Sequence, residues 1–157
     1  MSEKEIKKLL REPMSNVIIK KITGCNIIHY DKLANVKNID KYIKNNAVII
    51  FIPNCGSDVG HWVCIVVNKK KDLITYFNSY GKEPYGNIAK VLYDSKYKNI
   101  EYNHHCFQGD DTSTCGRHVV IRILGAQRDT DEYIHALENA GDIDVFVSYV
   151  VKKLFGV

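Results

Sequence analysis

Cys115 lies in the segment Gln108-Gly-Asp-Asp-Thr-Ser-Thr-Cys115-Gly116, about fifty residues after a His61-Trp62 pair. A thiol, an imidazole and a carboxamide are the parts of an acyl-transfer site. The thiol attacks a carbonyl carbon, the imidazole takes and returns its proton, and amide N–H groups hold the oxyanion. Cys115 opens the apolar pattern Val119, Val120, Ile123, Leu124, the buried stripe of a helix. Thr112 or Ser113 is the expected N-cap. A thiol in the first turn of a helix faces its positive end, which lowers the thiol pKa and offers N–H groups to an oxyanion. Gln108 would supply a second donor, and Gly116 room for a substrate backbone. Taken singly these residues also fit bland roles, a buried helical cysteine and a solvated loop glutamine.

His61 heads an apolar run that reads as a strand over Trp62 to Val67, followed by another over Asp72 to Phe77. If Lys69 and Lys70 form a two-residue turn, Asn68 pairs with Lys71 and His61 stands opposite Asn78. Directly opposed residues share a face, with Cβ atoms about 4.5–5.5 Å apart. Asn78 could then accept the ring Nδ1–H and leave Nε2 as the base. The bland alternative is that His61 starts a strand and Asn78 starts a turn. Val63 and Ile65 share the His61 face with Tyr76 and Ile74, while Trp62, Cys64 and Val66 share the other with Phe77, Thr75 and Leu73. Both faces are apolar, so the hairpin belongs at the centre of a sheet.

The elements around these residues follow from pattern and punctuation. Residues 3–11 read as a helix stopped before Pro13, and 17–22 as a short strand or extended lead-in closed by Gly24. A short helix over 38–44 has Asn38 as N-cap, and 47–52 is a buried strand ended by Pro53. Residues 54–60 carry loop chemistry. Residues 84–94 read as a helix, 99–102 as a strand, and 114–126, 130–139 and 142–154 as helices. Asp129 or Thr130 caps the second of these, and Gly141 separates the last two. The expected class is α+β, a small and mainly antiparallel central sheet flanked by helices.

At 157 residues, 45% hydrophobic and 25% charged, the chain reads as one domain over 1–157 with an ordinary core. No apolar run approaches the roughly 18–20 residues of a membrane span, and the mixed-charge N-terminus lacks a secretory signal. Five irregularly spaced cysteines read as free thiols in a reducing compartment. Cys55, His61, Cys64, His104, His105 and Cys106 lack the spacing of a zinc site, and no phosphate-cradling glycine motif is present. A net charge of +4, with the run Lys69-Lys70-Lys71, allows weak association with DNA.

Gly60-His61-Trp62, Tyr76-Phe77-Asn78-Ser79, Gln108 and Cys115-Gly116 together resemble the adenovirus-proteinase and SUMO-protease superfamily of cysteine peptidases. There the chain order is His, then Asp, Glu or Asn, then Gln, then Cys. The steps here, seventeen residues from His61 to Asn78 and seven from Gln108 to Cys115, are similar to those of the adenovirus enzyme. The resemblance covers about residues 47–125. It implies an adenovirus-proteinase-like fold and a catalytic set of Cys115 as nucleophile, His61 as base, Asn78 as orienter and Gln108 as oxyanion donor. Trp62 would wall a narrow substrate slot and favour glycine-containing sites. Many relatives carry Asp or Glu at the place of Asn78, and SUMO-specific relatives use a second tryptophan that this chain lacks.

Within the superfamily the chain looks most like the maturation proteases of virophages and related DNA viruses. That likeness implies a monomeric thiol endopeptidase, without metal or other cofactor, that cleaves capsid-protein precursors. It would act at the assembly site in the host cytoplasm and in the virion. A deconjugating peptidase for ubiquitin-like modifiers, an acyltransferase on the same scaffold and a capsid or DNA-binding protein with a vestigial site are the alternatives.

Overall fold

A computed structural model describes residues 1–53 and 60–157; the loop expected over 54–60 lies outside the described residues except for Gly60. Five strands form one sheet in the order β1 to β5: β1 (Asn26–His29), β2 (Ala47–Pro53), β3 (Gly60–Asn68), β4 (Leu73–Phe77) and β5 (Asn99–Tyr102). The two central pairings, β2 with β3 and β3 with β4, are antiparallel, as expected. Both edge strands join in parallel. Strand β1, which was not anticipated, is short and only half-buried. Its pattern is too brief to signal a strand on its own.

Burial on both faces explains the near-continuous apolar runs of β3 and β4. On one face, Trp62, Cys64, Val66 and Phe77 pack against Val119, Val120 and Ile123 of helix α4 (Cys115–Leu124), with Ile19 and Val151 behind. On the other face, Val63, Ile65, Ile74 and Tyr76 meet Ile88, Val91 and Leu92 of α3 (Gly86–Tyr93) and Leu33, Val36 and Ile39 of two 3₁₀ turns. The helix α1 (Glu3–Arg11) begins with a Ser2–Glu5 capping box. Helices α5 (Thr130–Leu137) and α6 (Ile143–Phe155) are N-capped by the side chains of Asp129 and Asp142. Among the described residues no helix is long and apolar enough to cross a membrane.

Two local expectations change. Residues 16–23 form helix α2 (Asn16–Thr23), not a strand. The Ser15 side chain accepts the Ile18 N–H, and Gly24, in the left-handed region at φ 66°, donates to Lys20. The apolar residues Ile18, Ile19 and Ile22 recur at helical spacing, so β-branching alone was a misleading guide. The hairpin turn is also longer than two residues: Asn68 pairs with Leu73, and Lys69 to Asp72 form the loop. A two-residue hairpin turn needs positive φ, which lysine disfavours. Here the left-handed residue is Asp72, at φ 50°, and Asn68 Oδ1 accepts the Lys71 N–H. Lys71 then reaches Asp129 and Glu132 at the start of α5, at 3.2 and 2.6 Å.

Candidate active site

Cys115 is the first residue of α4 and lines a cleft of about 1060 Å³ together with His61, Trp62, Tyr80 and Gln108. Strand β3 brings His61 and Trp62 there, the turn after β4 brings Tyr80, and the loop before α4 brings Gln108. The longer hairpin turn shifts the register by two residues. That keeps His61 and Asn78 on the same face but makes them diagonal neighbours instead of direct opposites. Their side chains still span the gap, since His61 Nε2 donates to Asn78 Oδ1 at 2.8 Å. The ring nitrogens therefore exchange their expected roles: Nε2 is held by the asparagine, and Nδ1 is left to act as the base.

Asn78 is itself fixed on all sides. The buried Asn103 accepts the Asn78 N–H at 3.0 Å and donates to the Asn78 carbonyl at 2.6 Å. Tyr80 N–H donates to Asn78 Oδ1 at 3.0 Å, and the Tyr80 ring stacks on His61 with centroids 4.9 Å apart. Burial draws the His61 pKa below its ordinary value, and the bond to Asn78 only partly offsets that. A neutral, proton-accepting imidazole is thus favoured.

The residue before Cys115 departs from the expected cap. Thr114, not Thr112 or Ser113, is the N-cap, and its side chain caps no helix N–H. Its hydroxyl donates instead to Asp144 Oδ1 at 2.6 Å. The first-turn N–H groups therefore remain free to face the thiol. Burial pushes the Cys115 thiol up, and the N–H groups of Trp62, Gly116 and Cys115 only partly offset this. The expected lowering by the helix terminus is outweighed by desolvation. With the thiol raised and the imidazole lowered, both shifts favour the neutral pair at rest. The structure shows no hydrogen bond between Cys115 and His61, a contact that commonly tightens only with substrate bound.

Gln108 is buried, and its amide is oriented by two bonds: Oε1 accepts from Ser79 Oγ at 2.6 Å, and Nε2 donates to the Thr112 carbonyl at 3.1 Å. This leaves one N–H of Nε2 for the cleft, the donor geometry expected of an oxyanion hole. Gly116 corrects an expectation. A Cβ there would lie 3.1 Å from Ile19 Cδ1 and Met14 Cβ, so the missing side chain makes room for α2 and its lead-in, not for substrate. Toward the thiol, Gly116 contributes only its N–H.

Sequence reading missed Ser79, Tyr80, Asn103 and Asp144. The first two adjoin Asn78 and could have been suspected. Asp144 could not, because it lies on α6, far along the chain from Cys115, and no motif marks it; only folding brings its carboxylate to Gly109 N–H at 2.8 Å, Thr114 Oγ1 at 2.6 Å and His118 Nε2 at 2.7 Å. Burial opposes its charge, yet these three donors outweigh burial and hold the carboxyl below its ordinary pKa.

No protein-family model matches the chain. An uncharacterized protein of the Sputnik virophage is 27% identical over 151 residues, covering 83% of this chain and 86% of that protein. The crystal structure of an ASFV protease superposes with a TM-score of 0.54 at 18% identity over 79% of this chain; the match spans 57% of that protease. The yeast Ulp1 protease domain in complex with SMT3 aligns over 96% of this chain and 81% of its own length, at 17% identity and a TM-score of 0.48. The likeness to the ASFV protease establishes the fold: this α+β chain has the fold of that viral protease, as the resemblance implied.

Proposed function

We propose that the protein is a thiol endopeptidase that cleaves capsid-protein precursors of a virus, acting at the assembly site in the host cytoplasm and in the virion. The observation that carries the reading is the shared cleft. It brings Cys115 at an uncapped helix start, Gln108 with a free N–H, and His61 bound to Asn78 to one place. The fold of a viral protease and the virophage relative support it.

In the first step Cys115 Sγ bonds to the scissile carbonyl carbon while its proton passes to His61 Nδ1. The carbonyl π electrons move to oxygen, where Gln108 Nε2–H and the Cys115 N–H stabilise the charge. The oxyanion then collapses, the C–N bond breaks, and Nδ1–H protonates the departing amine. Water, deprotonated by His61, attacks the thioester. The acid leaves, and the proton returns to the thiol. Asn78, through Nε2, keeps the ring in the tautomer with Nδ1 free. Trp62, whose ring packs 4.7 Å from that of Phe51, walls the cleft and favours small residues such as glycine near the scissile bond.

Co-expression with candidate viral structural proteins, followed by N-terminal sequencing, tests the reading. New N-termini are expected with the wild type and should vanish with Cys115→Ala. Identical products from both would overturn the assignment. A thioester adduct with a ubiquitin-like modifier or an acetyl group at Cys115, without precursor cleavage, would redirect it to deconjugation or acyl transfer.

A further inference from the structure

Among the described residues, the charged side chains that line the cleft are of one sign. Lys20 and Lys21 of α2 line it, both exposed, and among the described residues neither lysine is in an ion pair and no carboxylate lines the cleft. These lysines belong to a wall that is fastened to the nucleophile's own helix. Ser113 N–H donates to the Leu10 carbonyl at 2.7 Å, Arg117 Nη1 donates to the Glu12 carbonyl at 2.6 Å, and Met14 and Ile19 close on Gly116. The two positive charges are thereby held at a set place relative to Cys115. They stand on α2 beside a groove in which one stretch of the lining, formed by Ile27, Phe51 and Trp62, is apolar.

Resting on the thiol-peptidase reading, we propose that Lys20 and Lys21 are specificity residues that select peptide segments carrying aspartate or glutamate on one side of the scissile bond. Like-signed charges along a cleft raise the local concentration of oppositely charged ligands and disfavour basic ones. The apolar wall would take a neighbouring hydrophobic residue of the same segment. Since both ammonium groups stay in contact with water, each contributes modestly, about two- to fivefold in kcat/KM. The preference is strongest at low ionic strength.

The test incubates the full chain with a pooled synthetic peptide library and reads cleaved bonds by mass spectrometry, for wild type, Cys115→Ala and the double variant Lys20→Glu with Lys21→Glu. The expected result is Cys115-dependent cleavage enriched in acidic residues at a fixed offset on one side of the bond. In the double variant this enrichment should reverse toward basic residues, shifting the acidic-to-basic rate ratio by about tenfold or more. Raising the salt of the wild-type reaction to about 0.5 M should shrink the enrichment. Both lysines are exposed, so the variant should fold. Cysteine-dependent cleavage that is indifferent to charge, or unchanged in the double variant, overturns this inference and leaves the peptidase reading standing. Cleavage that is the same without Cys115 overturns the reading and this inference with it.

Discussion

Asn78 Oδ1 takes two hydrogen bonds, from His61 Nε2 and from Tyr80 N–H, while Asn103 grips its backbone. A neutral orienter leaves desolvation as the larger influence on His61, so the base stays unprotonated to a lower pH than a free histidine. The acid limb of kcat/KM should therefore fall below the usual histidine value of about 6.5. Asn78→Asp places a negative charge beside the ring, favours the imidazolium and should move that limb to higher pH. Asn78→Ala removes the one bond that raises His61 and should move the limb lower still. Its rate loss should be smaller than the roughly 10²–10⁴-fold of general acid–base catalysis. Profiles of the three proteins with one peptide substrate decide this; coincident acid limbs would remove Asn78 from the site. His61, Asn78, Gln108 and Cys115 were legible because each has a functional group and an ordered spacing. The swap of Nδ1 and Nε2 was not, since spacing carries no information on which ring edge faces the partner.

Helix α4 depends on its neighbours at the end that carries the thiol. Asp144 of α6 holds the Gly109 N–H and the Thr114 hydroxyl, both on the segment between Gln108 and Cys115, and the buried His118. Asp144→Ala leaves those donors unpaired. It should cost about 2–4 kcal/mol of stability, measurable as a lowered urea midpoint. Because the folded carboxyl has a lowered pKa, its contribution is present above the unfolded value and is lost as pH falls through the folded one. The wild-type advantage over the variant should therefore shrink in acid; an advantage independent of acid pH would count against a charged Asp144. On the opposite side of α4, Gly116→Ala forces a methyl to 3.1 Å from Met14 and Ile19. Overpacking of this kind costs about 1–3 kcal/mol, and Ile19→Val should recover part of it in thermal melts. No recovery would mean that the strain lies elsewhere. Helix α2 escaped sequence reading because its β-branched residues imitate a strand; Ser15 was overlooked as an N-cap, and Gly24, taken as the end of an extended segment, is the helix C-cap.

Across the whole chain, two apolar clusters lie on opposite faces of one sheet and share its central strands. Losing either exposes β3 and β4, so residues 1–157 should unfold together. Fluorescence of Trp62, the one tryptophan, and far-UV circular dichroism should trace the same urea transition; separate midpoints would divide the chain into independent units. Sequence alone determined the α+β class, the central hairpin, the helix that opens at Cys115 and the order of the chemical groups, because these follow from local periodicity, breakers and residue type. Only the tertiary structure decided the parallel edges of the sheet, the diagonal meeting of His61 with Asn78, the grip of Asp144 and Asn103, and the basic wall formed by α2. Each joins residues distant along the chain. Burial then sets the protonation of the thiol and imidazole, reversing the pKa shift that the helix start alone implied for Cys115.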